Sequence, residues 1–294
     1  MDIANLRAFI AVVESGSFSA AAAQLFITQP AVSKRIGALE SAVGHALFDR
    51  IHRRALLTPA GRTLLPTART VLAELASCQS HLDSLNQTVA GPLHIATSHH
   101  IGLHRLPGLL RQFTTAHPAV ELNLQLMDSE DAVAQVVDNA IELAVVTLPL
   151  EPPAGVRVEP IWVDRLRVVV ARDHPLAEVT RPRPTHLASH TAILPARGTV
   201  TRQIADRILA SQPLNARHVM ETNYLETNKV LAAAGLGWTL VPESMIDTQL
   251  HPLDLPQLSA NRALGLVVRQ KRTLGRAAEQ FAAMLLAAGR ADSD

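Results

Sequence analysis

Residues 18–44 read FSAAAAQLFITQPAVSKRIGALESAVG, and this stretch decides the fold of the N-terminal part of the chain. Ser17 or Ser19 can cap a short helix over Ala20–Phe26, whose small side chains allow a second helix to approach closely. Thr28 is a good N-cap for a further helix that runs to about Val43. Two short helices joined by a tight turn predict a helix-turn-helix.

The second of these helices has two different faces. Its apolar positions follow helical spacing and can face one core: Val32, Ile36, Leu39 and Val43. Its polar positions can reach DNA bases or phosphates in a major groove: Gln29, Ser33, Lys34 and Arg35. The alternative is an ordinary three-helix core with a solvated polar face, and the pattern of this helix alone leaves both interpretations open.

The residues after this helix favour DNA binding. Arg50, Arg53 and Arg54 cluster at a turn between two short extended segments, which is how a wing beside a recognition helix is built. Arginines on a wing can hold the DNA backbone and the minor groove.

The N-terminal residues resemble the winged helix-turn-helix of LysR-type transcriptional regulators. The matching motifs are Ala20-Ala-Ala-Ala-Gln-Leu25, Thr28-Gln-Pro-Ala-Val-Ser33, Leu39-Glu40, Gly44, Leu47-Phe48-Asp-Arg50 and Leu57-Thr-Pro-Ala-Gly61. The resemblance implies a ligand-responsive regulator that binds imperfect palindromic promoter sites in double-stranded DNA as a homodimer or homotetramer, with RNA polymerase as a further candidate partner. The candidate DNA-contacting residues are Thr28, Gln29, Pro30, Ser33, Lys34, Arg35, Arg50, Arg53 and Arg54.

Composition agrees with a folded protein that has a basic N-terminal module. The 294 residues are 48% hydrophobic and 18% charged, which excludes a disordered chain, and the single cysteine, Cys78, excludes a disulfide scaffold. Residues 1–62 hold seven basic and four acidic side chains, so the remaining chain carries a net charge of −2 against a total of +1. We find no apolar run long enough to cross a bilayer and no secretory signal, so we expect a cytoplasmic protein without a membrane partner.

A long helix is predicted to connect the two parts of the chain. Thr58 and Pro59 form a helix start, and an apolar stripe continues to about Thr88, a length of about 45 Å at 1.5 Å per residue. The stripe can pack on the chain's own C-terminal domain, whereas the resemblance implies pairing with a second copy. The predicted domains are 1–58 for DNA binding, 59–89 for the linker helix and 90–294 for effector binding.

The C-terminal part reads as two successive α/β units, subdomain I at about 91–161 plus 267–294 and subdomain II at about 162–266. Two separate strands are expected at Val156–Ile161 and Leu166–Ala171, and one helix at Leu103–Ala116. The segments Trp162-Val-Asp164, His174-Pro-Leu-Ala177 and Ala232-Ala-Ala-Gly-Leu-Gly237 resemble the effector domain of the same family. The predicted fold class is therefore an N-terminal all-α winged helix-turn-helix with a long linker helix, followed by a two-subdomain, periplasmic-binding-protein-like α/β domain.

An effector is expected in the cleft between the two subdomains, at the carboxyl ends of the strands. Hydroxyl groups and free helix N–H groups there favour a small carboxylate or an inorganic oxyanion. The resemblance implies an effector pocket formed by the strand end at Thr97, the strand end at Thr147 and the loop before the helix that follows Thr199. The candidate effector-binding residues are therefore Thr97, Ser98, His99, His100, Thr147, Thr199, Thr201 and Asn223. Ser98, Thr199 and Thr201 can equally be helix caps, Thr147 an ordinary strand end, and Arg202 is expected in a surface ion pair.

Three histidines leave several interpretations open. His100 and His104 are one helical turn apart, which permits a metal site, but no carboxylate or cysteine stands near them in the sequence. Asp128 could approach them from the next strand, which the sequence cannot show. Together with His99 they can instead assist an anion or serve as surface or capping residues. We predict no metal and no cofactor, and we interpret Cys78 as a packing residue.

Enzymes and transport proteins are the competing classes. The chain has no Gly-rich phosphate loop, Gly-x-Ser-x-Gly elbow or metalloprotease helix, so no enzyme is predicted. A solute-binding protein fits the second half of the chain but not the basic N-terminal module.

Overall fold

The computed structural model describes residues 2–51, 54–83, 89–211, 218–270 and 272–291, without the side chains of residues 50, 51, 54, 77 and 80–83. These residues form two compact units. The first contains the chain up to Thr88 and two short segments, Asp138–Ala140 and Arg272–Gly275, and the second contains the rest.

Three helices build the first unit. They are α1 (Ile3–Ser15), α2 (Phe18–Gln24) and α3 (Gln29–Val43). Of the two serines that could cap α2, Ser17 does so by accepting a hydrogen bond from the Ala20 N–H at 3.0 Å, and α2 therefore begins at Phe18 instead of Ala20. Helix α3 has Thr28 at its N-cap and ends at Gly44, whose φ of +75° suits glycine.

The core of the first unit lies between these helices. The predicted apolar face of α3 is buried at Val32, Ile36 and Leu39. Phe48 contacts Phe9 with ring centroids 5.4 Å apart, which joins the segment after α3 to α1. The helix-turn-helix is thus held by ordinary apolar packing on one side only, and the polar side of α3 stays outside the core.

A hairpin and a long helix complete the first unit. Strands β1 (Phe48–Ile51) and β2 (Arg54–Leu57) pair antiparallel, and α4 spans Pro59–Asp83. Thr58 is buried, accepts from the Gly61 N–H at 3.1 Å and donates to the Ala46 carbonyl at 2.7 Å, so it fixes the start of α4.

Among the residues that the structure describes, the second unit is built around one sheet of nine strands. The strands are β3 (Gly91–Thr97), β4 (Val120–Leu126), β5 (Leu143–Thr147), β6 (Val156–Ala171), β7 (Ala192–Pro195), β8 (Val219–Thr222), β9 (Trp238–Pro242), β10 (Leu250–Pro252) and β11 (Ala260–Arg269). Their order is β4-β3-β5-β11-β6-β9-β7-β8, with β10 beside β6. Strand β3 is parallel to β4 and β5, and β7 is parallel to β8 and β9, as two α/β units require.

The two halves of this sheet are joined by two long strands. The prediction of two strands at Val156–Ile161 and Leu166–Ala171 is wrong, because β6 runs through both without a break and pairs antiparallel with β11. The register shifts at Gly265, where an added Cβ would lie 2.2 Å from the Glu159 carbonyl oxygen. The proposed subdomain boundaries therefore fall inside continuous strands that both halves share.

The described residues of the second unit form seven α-helices: α5 (His99–His104), α6 (Leu106–Ala116), α7 (Ser129–Val137), α8 (Pro184–Leu187), α9 (Val200–Ala210), α10 (Leu225–Ala233) and α11 (Arg276–Ala291). The single helix predicted over Leu103–Ala116 is instead divided at Arg105 between α5 and α6. Pro107 lacks the N–H that a continuous helix would donate to the Leu103 carbonyl.

No single helix within the described ranges is long and apolar enough to cross a membrane. The bent pair α1 and α2 passes that test of length and composition only when both helices are taken together. Both helices contribute buried residues to the core of the first unit.

Candidate functional site

The polar side of α3 is open to solvent in the first unit. Thr28, Gln29, Pro30 and Lys34 are exposed, whereas Ser33 and Arg35 are half-buried. The Gln29 amide donates to the Ser33 hydroxyl at 3.1 Å, so these two predicted base-reading side chains lie side by side. Amides, hydroxyls and cations on one exposed helix end are the groups that read base edges and bind phosphates.

The wing arginines are placed only in part. The backbones of Arg50 and Arg54 lie in the paired strands β1 and β2, opposite Ala55 and Ile51. Their side chains and the whole of Arg53 lie outside the described residues. Contact between these arginines and DNA therefore stays a prediction.

Phe26 is an exposed aromatic residue beside α3. The sequence pattern predicted Phe26 to be part of the preceding helix. Helix α2 ends at Gln24, and Phe26 lies in the turn before α3 with 95% of its surface exposed. Its φ of +54° is uncommon for a residue other than glycine or asparagine. No periodicity or cap marks this conformation in the sequence.

A small cavity of about 60 Å³ lies in the second unit, at the carboxyl ends of its parallel strands. Seven of the eight predicted effector residues line it: Ser98, His99, His100, Thr147, Thr199, Thr201 and Asn223. The eighth, Thr97, is fully buried and donates a hydrogen bond to the Val145 carbonyl at 2.7 Å. Thr97 therefore holds two strands together and does not line the cavity.

Carboxylates from the first half of the sheet reach groups in the second half across this cavity. Glu130, in the first turn of α7, accepts a hydrogen bond from the Val200 N–H at 2.6 Å, at the N-terminus of α9. Asp128 accepts from the Asn223 amide at 3.4 Å. Glu130 and Asp128 thus already accept hydrogen bonds from two donor groups that an anionic effector would use.

The side chain of Thr199 caps the N-terminus of α9. Its hydroxyl accepts from the Arg202 N–H at 3.2 Å and donates to the Ala196 carbonyl at 2.9 Å. The capping interpretation of Thr199 therefore describes its contacts in this structure, while its side chain also lines the cavity.

A cluster of charges lies beside the cavity, which its member Arg262 lines. Asp164 accepts from the Arg262 guanidinium at 2.8 and 3.2 Å and from Arg105 at 3.1 Å. Arg262 also donates to the Thr201 hydroxyl at 3.0 Å, so it orients a cavity-lining residue. Burial raises the pKa of Asp164, but the neighbouring His100 imidazole and the Arg262 guanidinium lower it by more, so its pKa is well below the ordinary value.

The histidines meet a second carboxylate, Glu226 in the first turn of α10. Its Oε1 is 3.4 Å from His100 Nδ1 and 3.1 Å from His104 Nε2. Burial raises the pKa of Glu226, but the hydrogen bonds from His100 and from its own backbone outweigh this and lower that pKa to about 2. His99 instead contacts the ring of Tyr224, with centroids 4.4 Å apart.

Arg202 forms ion pairs, as expected, but not at the surface. Its side chain is only 6% exposed and contacts Asp206 at 2.8 Å and Glu221 at 2.9 Å. The strand-end Pro195 carbonyl accepts a further hydrogen bond from it. Arg202 therefore ties the N-terminal turn of α9 to two neighbouring strands.

Sequence reasoning missed four charged residues at this site, Glu130, Asp164, Glu226 and Arg262, and named Asp128 only as a candidate partner of the histidines. Asp128, Glu130 and Glu226 follow strand ends, so the rule that selected Ser98 could also have selected them. Asp164 and Arg262 lie within long strands, and no feature of the sequence indicates that they meet.

Comparisons with known proteins agree with both halves of this description. Residues 3–62 match the bacterial regulatory helix-turn-helix of the lysR family, and residues 86–290 match the LysR substrate binding domain. A RuBisCO operon transcriptional regulator of Allochromatium vinosum is 30% identical over 97% of this chain and 96% of its own length.

Two further proteins are similar to this chain, and the second of them shows the fold alone. An uncharacterised HTH-type regulator from the ibpB-leuC intergenic region of Azotobacter vinelandii is 58% identical over 36% of this chain and 74% of its own length. Full-length CbnR, solved with its target DNA, shares the fold with a TM-score of 0.66 at 21% identity, over 98% of this chain and all of CbnR. The chain therefore belongs to the LysR family and is a DNA-binding transcriptional regulator.

Proposed function

We propose that this regulator senses a small anion in the cavity of its second unit and changes its DNA binding in response. In this proposal residues 1–58 recognise DNA, 59–89 pair two copies, and 90–294 hold the effector. The observation that carries the proposal is the Glu130 carboxylate on the Val200 N–H, because it marks a position that accepts a negative group.

The size and lining of the cavity support a small ligand. A volume of about 60 Å³ is well below the roughly 300–1,000 Å³ of sites for drug-sized molecules. The hydroxyls of Ser98, Thr147 and Thr201 offer hydrogen bonds to an oxyanion, and Arg262 adds a buried positive charge behind them. An inorganic oxyanion or short carboxylate fits once the Glu130 carboxylate moves aside.

The proposed response is a change in the angle between the two halves of the sheet. A bound anion displaces Glu130 and Asp128 from their partners across the cavity, so it removes two contacts that hold the halves in their present arrangement. Strands β6 and β11 are the shared elements about which the halves would move. Only an effector with different affinities for the two arrangements can drive the change.

Pairing of two copies through α4 would place two recognition helices on one DNA site. Val71 and Leu75 of α4 are each 40% exposed, and such apolar positions are suited to a partner helix. Half-sites of helix-turn-helix dimers lie about 34–36 Å apart, which is one turn of DNA. We propose an imperfect palindrome with that spacing as the target.

The promoter beside the protein's own gene is the first DNA to test, and a RuBisCO operon promoter is the second because a relative carries that name. Inorganic phosphate, sulfate and short carboxylates are first screened by thermal shift, and anions that stabilise the protein are added to a fluorescence-anisotropy titration of the promoter. Ser98→Ala should retain DNA affinity and lose most of the anion response, while Ser211→Ala, at an exposed serine, should retain both. If folded Ser98→Ala no longer binds DNA, the assignment of the effector site is wrong.

A further inference from the structure

One carboxylate oxygen and two imidazole nitrogens converge beside the cavity. Helix α5 carries His100 and His104 four residues apart, so both rings lie on one face with centroids 4.9 Å apart. Glu226 from α10 faces both rings, with Oε1 3.4 Å from His100 Nδ1 and 3.1 Å from His104 Nε2. One donor atom from each of the three residues lies within 4.8 Å of the other two.

We propose that His100, His104 and Glu226 bind a divalent transition-metal ion, with Zn²⁺ as the best match. Bonds of about 2.0–2.2 Å at a tetrahedral angle place two donor atoms about 3.3–3.6 Å apart. Of the two separations from Glu226 Oε1, 3.4 Å lies in this range and 3.1 Å needs an adjustment of a few tenths of an ångström. The two imidazole nitrogens lie within 4.8 Å of each other and would have to move closer together. Two imidazoles and one carboxylate are a donor set that zinc takes in proteins.

A second carboxylate, that of Asp164, lies near the other ring nitrogen of His100. His100 Nε2, on the far side of the ring from Glu226, is 3.3 Å from Asp164 Oδ2, and the two side chains are only 5% and 1% exposed. This nitrogen makes no well-aligned hydrogen bond to any group that the structure describes. Metal-binding histidines usually donate their other N–H to a carboxylate, which orients the ring, and a small rotation of His100 would complete that bond.

Local charge also favours a cation. The cavity lining contains three carboxylates, Asp128, Glu130 and Glu226, against one guanidinium, that of Arg262. Arg105 and Arg262 both form ion pairs with Asp164, at 3.1 and 2.8 Å. His104 is 47% exposed and gives an ion a route from solvent.

Three protein ligands leave the fourth position of a tetrahedral zinc ion open. His100 and Glu226 both line the cavity, so the open position lies on its border and can hold a water molecule or an oxygen of an effector. The metal site shares His100 with the proposed effector site but does not depend on the anion, because ion binding can be measured with no anion or DNA present.

The experiment is a calorimetric titration of ZnCl₂ into full-length protein that has been treated with EDTA and dialysed. We expect one ion per chain, a rise in melting temperature on binding, and at least about a 100-fold loss of affinity in His104→Ala and Glu226→Gln, since losing a direct ligand should exceed the 10–100-fold cost of losing an outer partner. The matched control is His99→Ala, which changes a neighbouring histidine that contacts Tyr224 and should retain the affinity.

Each outcome decides the proposal. Failure of the parent protein to bind Zn²⁺ overturns it, and so does equal affinity in the parent and His104→Ala, because the ligands would then lie elsewhere. An equal loss in His99→Ala overturns the assigned ligand set. Circular dichroism without metal shows which variants are folded, and His104→Ala changes a half-exposed side chain, so it remains a valid test if Glu226→Gln does not fold. If the parent protein binds Zn²⁺ but its DNA binding does not respond to any anion, that result counts against the proposed function and leaves the metal site intact.

Discussion

Replacing Glu130 with alanine is expected to tighten the binding of small anions to the second unit. The Glu130 carboxylate accepts the Val200 N–H at 2.6 Å, and the proposed effector needs the same N–H at the start of α9. An anion must therefore displace this side chain in the parent protein but not in Glu130→Ala. The variant also loses a negative charge that repels the ligand.

The size of the effect follows from the contact that is lost. A hydrogen bond to a charged group contributes about 1.5–3 kcal/mol, and a bound anion must break this one. The released carboxylate regains water, which offsets part of that cost, so the gain lies near the lower value. About 1.4 kcal/mol corresponds to a tenfold change in Kd, and we expect about a tenfold tighter complex.

Inorganic phosphate is the probe for this test. Its Kd is measured by calorimetry, and the rise in melting temperature with phosphate concentration gives an independent value. Glu130→Gln keeps an oxygen acceptor without the charge and should fall between the parent and Glu130→Ala. Glu121→Ala removes an exposed carboxylate from β4 and should leave the Kd unchanged. A Kd for Glu130→Ala equal to or weaker than that of the parent refutes the reasoning.

Three further predictions concern other parts of the chain. Lys34→Ala should weaken promoter binding and reduce the slope of log affinity against log salt by about 1, as anisotropy titrations at several salt concentrations can measure, and an unchanged slope would count against a phosphate contact. Phe26→Asn should raise the free energy of unfolding in urea by about 1 kcal/mol, because asparagine accepts the left-handed backbone and almost no buried surface is lost; an unchanged or lower value contradicts this. The hydrogen bonds from Arg202 and Arg197 lower the pKa of Glu221 below 4.5, so its contribution to stability is present above pH 4.5 and is lost as the pH falls through the lowered value. The difference in melting temperature between the parent and Glu221→Gln should therefore shrink below pH 4.5, and a constant difference would exclude this linkage.

The N-terminal unit was predictable because its signals are local. Caps, a helix-ending glycine and apolar spacing of three and four residues locate α3 from the sequence alone. The long strand β6 was not predictable in this way, because Glu159, Pro160 and Asp164 interrupt its apolar pattern. Its continuity depends on pairing with β11, which follows it by about 100 residues in the chain.

At the candidate site, too, the positions could be predicted from sequence features, but the contacts between residues far apart in the chain could not. Ser98 follows from the rule that ligands bind where parallel strands end, whereas Thr147 and Thr199 follow from the family resemblance, and all three line the cavity. The partners of His100 could not be read in this way, since Asp164 is 64 positions and Glu226 is 126 positions away along the chain. The sequence therefore indicated where a ligand could bind but not which charges surround it.

The most direct test of the account is dimethyl sulfate footprinting of the full-length protein on its promoter, since this reagent modifies guanine N7 in the major groove. Placement of the exposed end of α3 in that groove predicts two protected patches about 34–36 Å apart, and weaker protection in Lys34→Ala at equal protein concentration. Specific binding with all major-groove guanines fully reactive would contradict the account.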